Sequence, residues 1–268
     1  MGQPLDSPAQ QLPLGLRALP APRRADGVVG RNGAVLAALD AVFAQQPGSC
    51  LFLWGAPGSG KTFWLKAFAA EAKERAAGAA SAKLLACGDP QHSHSPARAL
   101  GPGASPGGQA TAPMVWLIDD VHLATAEEQA ALFTAYNRAM QDGARMVFAA
   151  DRPPRDMPSR EDLRTRLGQC LVYELAELTE EEMRHALRDR ALALGWLSHP
   201  TQDTYDHLFD YLLTRLPRNL SLLTELLQMA DRRALSLQRA ISLPLVRSLI
   251  DEALAKWPQP LSTTTGPT

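Results

Sequence analysis

The stretch from Cys50 to Ala70 limits what this chain can fold into more than any other. Five apolar residues, Cys50-Leu51-Phe52-Leu53-Trp54, run into Gly55-Ala56-Pro57-Gly58-Ser59-Gly60-Lys61-Thr62, and Phe63 to Ala70 follows at helical spacing. The order is strand, glycine-rich turn, helix, and the turn fits G-x-x-x-x-G-K-[ST] at every fixed position. Each requirement has a chemical reason. Gly55, Gly58 and Gly60 let backbone N–H groups converge on phosphate oxygens with no side chain in the way. The next helix presents its unpaired N–H groups and positive dipole end to the same anion. Lys61 places a point charge on the β- and γ-phosphates, and the Thr62 hydroxyl suits Mg²⁺. The stretch predicts a site for a purine nucleoside phosphate.

A second landmark lies downstream. Val115-Trp116-Leu117-Ile118 predicts a buried parallel strand, and Asp119-Asp120 stand at its C-terminal end, where open α/β sheets bind ligands. Behind a phosphate loop this is a Walker B arrangement. Asp119 is expected to hold Mg²⁺ through its water shell, and Asp120 to orient or activate the attacking water. Ala144 to Ala150 is a further buried strand, ending in Asp151-Arg152-Pro153-Pro154. A polar group at that strand end would lie beside a γ-phosphate, so Asp151 is a candidate sensor, and the prolines stop the strand.

The rest of the chain can be read around these landmarks. Residues 1–26 are rich in Pro, Gln, Ala and Leu and hold no period, which predicts an extended leader. Within it, Gln11-Leu12-Pro13-Leu14-Gly15-Leu16 alternates leucines behind a glutamine; the residues alone allow a low-complexity leader or a peptide that drops side chains into a partner's pocket. Ala34 to Gln45 reads as a helix entered through Val28 to Gly33, Ala82 to Cys87 as a strand, and Glu127 to Gln141 as an amphipathic helix. Gly88 to Pro113 reads mostly as a long surface loop, in which His92 and His94 are assigned no function. A short helix from Glu161 precedes a last apolar strand, Cys170 to Leu175. From Thr179 the pattern becomes all-helical, opened by a capping box between Thr179 and Glu182. The predicted organisation is a leader (1–26), an α/β nucleotide-binding domain (27–176), a helical lid (177–257) and a disordered tail (258–268).

Bulk properties narrow the partners. A net charge of −1 gives no global basic field to recruit nucleic acid. Cys50, Cys87 and Cys170 are odd in number and widely spaced, which predicts reduced thiols in a cytoplasmic protein rather than a disulfide frame or a zinc site. No apolar run reaches the length of a membrane span.

Taken together, the quoted segments resemble the AAA+ ATPase family, and within it the clade of the bacterial initiator DnaA. Leu117 to His122 is similar to that clade's Walker B segment, Asp151 to Pro154 to its sensor 1, Arg164-Thr165-Arg166-Leu167 to its arginine-finger segment, and Pro217-Arg218-Asn219-Leu220 to its sensor 2. The similarity runs over roughly residues 28–255, and the chain ends just after the lid with only a short leader before the core. It therefore resembles the Hda-type regulatory inactivators of DnaA, whose members begin with a clamp-binding peptide of the form Q-L-x-L-x-L.

The resemblance implies an AAA+ parallel-sheet domain with a small helical lid, ADP or ATP with Mg²⁺ at Lys61, Thr62 and Asp119, and Arg218 reaching the nucleotide from the lid. It makes Gln11, Leu12, Leu14 and Leu16 contacts to the β subunit of the DNA polymerase sliding clamp, and Arg166 a finger directed into a bound DnaA. It also implies self-association, no membrane attachment and no strong sequence-specific DNA binding. Asp120 stands where many active AAA+ enzymes have Glu, which implies weak or no intrinsic turnover. Two other readings compete: a self-sufficient ATPase such as a helicase loader of the DnaC or IstB type, and a DnaA-like DNA-binding module.

Overall fold

The computed structural model describes residues 22–44, 48–74, 81–88, 95–100, 114–199 and 203–256. The leader peptide Gln11 to Leu16, His92, His94 and the tail 258–268 lie outside them. Five parallel strands form one sheet: β1 (Cys50–Trp54), β2 (Ser81–Ala86), β3 (Met114–Asp119), β4 (Arg145–Ala150) and β5 (Leu171–Glu174), in the order β2-β3-β4-β1-β5. The central strands read as unbroken apolar runs because helices cover both of their faces. One face of β1 sends Leu51 and Leu53 into a core with Val35, Leu39, Leu65 and Phe68 from helices α1 (Gly33–Phe43) and α2 (Lys61–Glu74). The other sends Phe52 into a core with Ile118, Phe148, Leu132 and Leu163, under α4 (Ala126–Asp142) and α5 (Glu161–Gly168). Phe52 is fully buried, and its truncation to alanine would cost about 3–5 kcal/mol.

Two buried charged groups inside this frame are matched. Arg145, at the start of β4 and 1% exposed, donates to the carbonyls of Val42 (2.8 Å) and Phe43 (3.2 Å) and so closes the C-terminal end of α1. Glu128, 2% exposed, completes a capping box with Thr125 at the start of α4. The same carboxylate accepts the Gly88 N–H at 3.1 Å and the Ser95 hydroxyl at 2.8 Å, holding both described ends of the 88–95 segment.

The structure adds two features to these expectations and overturns one. Within the stretch expected to be mostly loop, Pro96–Leu100 forms a short helix (α3) whose Leu100 reaches the core, because Ser95 and Leu100 are fixed from opposite sides. The strand after α5 is apolar but not enclosed. As the outermost strand, β5 pairs only with β1 among the described strands and leaves Leu171 61% and Val172 41% exposed. The cysteines are not all reduced: Cys50 and Cys170 form a disulfide. The register pairs Leu51 with Leu171, so the preceding residues meet side by side, with Cα atoms 4.8 Å apart. A separation of 120 residues gave the sequence no signal of this pairing, and cysteine usage no longer argues for a compartment. Cys87 is free and buried; desolvation first, then Glu128, Asp120 and Asp119, push its thiol well above the usual range.

The C-terminal part is a helical bundle of α6 (Glu180–Ala193), α7 (Asp206–Arg215), α8 (Leu220–Leu237) and α9 (Leu243–Lys256). Thr179 caps α6 in the predicted box with Glu182, and Leu187, Phe209, Leu212, Leu223 and Leu227 share its core. Among the described residues, no helix is long and apolar enough to cross a membrane.

Candidate nucleotide site and an outlying arginine

Strand order assembles the site. Because β4 lies between β3 and β1, the ends of all three strands come side by side. Trp54 pairs with Ala150 and Ile118 with Phe148, so Gly55, Asp119 and Asp151 emerge at one edge of the sheet. The Gly55 N–H extends the ladder to the Ala150 carbonyl at 3.3 Å. A methyl group at Gly55 would lie 2.4 Å from the Leu175 carbonyl, which leaves no room for any other residue. Gly58 has φ +89°, and a side chain there would approach the Arg218 carbonyl at 3.0 Å. The lid backbone therefore passes directly over the phosphate loop.

Lys61 is 7% exposed and curls back onto its own loop, donating to the carbonyls of Gly55 (2.7 Å) and Ala56 (3.0 Å) and to the Ser59 hydroxyl (3.4 Å). Burial lowers its pKa, opposed by the charges of Asp119, Asp120, Asp151 and Glu177. Asp119 is 3% exposed; its carboxylate takes a hydrogen bond from Thr62 and the Asp120 N–H at 3.0 Å. Burial raises its pKa, the Thr62 bond lowers it, and the Asp120 charge raises it again. A buried carboxylate bonded to the loop threonine and facing Lys61 is a donor set that fits a hydrated Mg²⁺ beside a polyphosphate. Asp120 itself adopts a left-handed backbone (φ 53°), which turns the chain sharply into Val121–Leu123.

Asp151 is held by groups that sequence reasoning left unassigned. Arg152 grips its carboxylate with two bonds, Nε to Oδ1 at 2.7 Å and Nη2 to Oδ2 at 2.8 Å. His122 accepts the Asp151 N–H through Nδ1 at 3.4 Å, and its Nε2 stands 3.8 Å from Oδ2. The Arg152 bonds lower the Asp151 pKa, with His122 and Lys61 adding to the shift against the effect of burial. Asn32 is a second residue that drew no assignment. It is 3% exposed and exchanges two hydrogen bonds with Ala176, donating to its carbonyl at 3.0 Å and accepting its N–H at 2.8 Å. Beside this joint a cleft of about 300 Å³ opens, lined by Arg31, Ala56 and residues 174–177.

Two expected site residues stand apart from the cluster. Arg218 brings its carbonyl to the phosphate loop, but its guanidinium, 59% exposed, turns to Glu180 at 3.3 Å. Arg166 is on the last turn of α5; among the described residues its guanidinium bonds only Gln169, at 3.3 Å, and has no carboxylate partner. α5 ends at the beginning of β5, where Leu171 lies opposite Leu51. That is the far end of the sheet from Gly55, a strand length of roughly 15 Å.

Comparison with known proteins places this geometry. Residues 109–174 match the model of the bacterial DnaA ATPase domain, and residues 180–250 match the model of the Hda lid domain. Domain III of the Thermotoga maritima replication initiator DnaA superposes with a TM-score of 0.62 at 20% identity, covering 85% of this chain and 95% of that one. AMPPCP-bound DnaA from Aquifex aeolicus gives 0.58 at 17% identity, over 85% of this chain and 67% of that one. The Thermotoga maritima RuvB branch-migration motor gives 0.54 at 17%, over 83% and 67%. At these identities the superpositions establish the fold, an AAA+ sheet. The two family matches, in this order along one chain, support an Hda-type protein of the DnaA clade.

Proposed function

We propose that this chain is a nucleotide-bound regulator of replication initiation that inactivates DnaA by completing its ATPase site. In this reading the phosphate loop, Lys61 and Thr62 hold ADP or ATP, and Thr62 with Asp119 holds Mg²⁺, which neutralises phosphate charge when bound. Asp151 lies at the γ-phosphate position, and Arg218 swings from Glu180 onto the nucleotide. The core (27–176) and lid (177–257) act as one nucleotide-binding unit. Leader residues Gln11, Leu12, Leu14 and Leu16 tether the protein to the sliding clamp, concentrating it where replication has just begun. The setting is the cytoplasm, with self-association of the regulator and no strong sequence-specific DNA binding of its own.

One observation carries the reading: Arg166 stands without a carboxylate partner among the described residues, at the end of α5 remote from its own phosphate loop. A guanidinium so placed is unsuited to its own nucleotide and suited to a neighbour's. There it would neutralise charge on the transferring phosphoryl group, a contribution of about 10³–10⁵ in rate for trans-acting fingers. The test is single-turnover hydrolysis of ATP pre-bound to DnaA, with DNA-loaded clamp present. Stimulation by the full chain, lost both in Arg166→Ala and in a variant lacking residues 1–20, is the expected result; no stimulation by the intact chain would refute the proposal.

A specific observation favours a second reading. Lys61, Thr62, Asp119, Asp120 and Asp151 all gather at one sheet edge, the equipment of an autonomous ATPase such as a DnaC- or IstB-type helicase loader. Vigorous ATP turnover by the chain alone, without DnaA, would select it.

A further inference from the structure

The disulfide occupies a position that no reading of the nucleotide site uses. Cys50 is the first residue of β1, the strand that ends in the phosphate loop. Cys170 follows α5 by two residues and lies four after Arg166. The Cys170 N–H donates to the Leu167 carbonyl at 3.2 Å, and its sulfur rests 3.8 Å from the Arg166 carbonyl. The turn that carries Arg166 is thus bonded covalently to the strand that carries the phosphate loop. Without the bond, that turn is held by Leu163 and Leu167 in the core and by β5, a strand of four residues on the sheet edge.

We propose that Cys50 and Cys170 form a reversible thiol–disulfide site that sets how firmly Arg166 is presented to a partner. The β1–β5 register keeps the two sulfurs adjacent in either redox state, so opening the bond does not separate them. Both residues are under one-tenth exposed, but Cys170 borders the outermost strand, beside the exposed Leu171 and Val172, and exchange proceeds by local opening of that edge. The chemistry balances with a small-molecule disulfide such as oxidised glutathione. One protein thiolate attacks it, a mixed disulfide forms and one glutathione thiolate leaves. The second protein thiolate then displaces the other glutathione. Two electrons pass to glutathione, and the two thiol protons end on its thiols. Cys87 stays outside this exchange, since it is buried and its thiol is held protonated.

The test uses the full chain equilibrated across ratios of reduced to oxidised glutathione, then quenched, unfolded and alkylated for mass counting of thiols. The expected result is one alkylated cysteine, Cys87, at the oxidising end and three at the reducing end. Amide hydrogen exchange over residues 161–175 should be faster in the reduced form. Cys50→Ala and Cys170→Ala should show the fast exchange at every ratio, while Cys87→Ala should still switch. If the alanine variants do not fold, the wild-type titration decides alone. Three thiols at every ratio would mean that no bond forms; one thiol at every ratio would mean a permanent structural bond. Either overturns the proposal, as does switching with unchanged exchange over 161–175. A final arm rests on the trans-activator reading: reduction should lower stimulation of DnaA-bound ATP hydrolysis by about tenfold in wild type but not in Cys50→Ala. Stimulation insensitive to redox state would sever the link to Arg166. Absence of stimulation in both states, with thiols and exchange responding, would refute the trans-activator reading and leave the redox site standing.

Discussion

At the edge of the sheet where β1, β3 and β4 finish, charges answer one another: Lys61 faces Asp119, Asp120 and Asp151, and Arg152 and His122 hold Asp151. At the opposite edge, where β5 begins, the Arg166 guanidinium bonds, among the described residues, only an amide oxygen of Gln169. The first arrangement is suited to holding a charged ligand in a fixed pose. The second leaves most donor groups of a guanidinium unengaged among the described residues. If the two ends have separate tasks, substitutions at each should be separable in what they disturb.

The largest effect is expected at the far end. Arg166→Ala should lower stimulated hydrolysis of DnaA-bound ATP by about 10³-fold or more, while nucleotide affinity of this chain stays at the wild-type value. Arg166→Lys should recover little, because an ammonium lacks the planar fork. Loss of nucleotide binding in Arg166→Ala would show that the ends are not independent. At the near end, Lys61→Ala should weaken nucleotide binding by roughly a hundredfold, the scale of one lost charge-assisted hydrogen bond of about 3 kcal/mol. Calorimetric titration would read this directly, and an unchanged affinity would remove the phosphate loop from the proposed site.

The two ends also differ in how legible they were. Gly55, Lys61, Thr62, Asp119 and Asp151 follow from local pattern, since each sits at a strand end or in a turn whose geometry its neighbours dictate. The parallel sheet and the Thr179 cap follow for the same reason. What local pattern could not carry is long-range pairing. The Cys50–Cys170 bond depends on the β1–β5 register, and the Asn32–Ala176 exchange joins residues 144 apart. The exposure of β5 depends on strand order, which an apolar run does not encode. Arg218 shows the remaining gap, because the resemblance implied a side chain on the nucleotide, whereas the carbonyl overlies the loop and the guanidinium turns to Glu180.

A smaller effect separates two carboxylates of the near end by sign. Burial raises the Asp119 pKa, so the fold favours its neutral form; Asp119→Asn should raise the melting temperature of the nucleotide-free protein at neutral pH by a few degrees. That gain should vanish as pH falls below about 3.9, where the wild-type group is protonated in both folded and unfolded states. The Arg152 bonds lower the Asp151 pKa, so its charged form adds stability above the ordinary carboxylate range and loses it as pH falls through the folded value. Asp151→Asn should therefore lower the melting temperature at neutral pH. Thermal melts between pH 3 and 8 would check both, and shifts of the same sign would contradict the electrostatic account.

The lid supplies the finest test, since Arg218 touches the near end through its backbone but not its charge. Glu180 holds the guanidinium at 3.3 Å, and both side chains are more than half exposed. Such a pair contributes no more than about 0.5 kcal/mol once solvent screening is counted, so Glu180→Gln should leave stability almost unchanged. Its effect should appear in binding. With the competing carboxylate gone, Arg218 is released toward the phosphate loop that its own carbonyl already overlies, and nucleotide affinity should rise by about two- to threefold. In Arg218→Ala the same Glu180→Gln change should do nothing, so the double-mutant cycle isolates the switch. An affinity gain that persists without Arg218 would assign the effect to removal of a negative charge from the acidic start of α6 instead, where Glu180, Glu181 and Glu182 share the first turn.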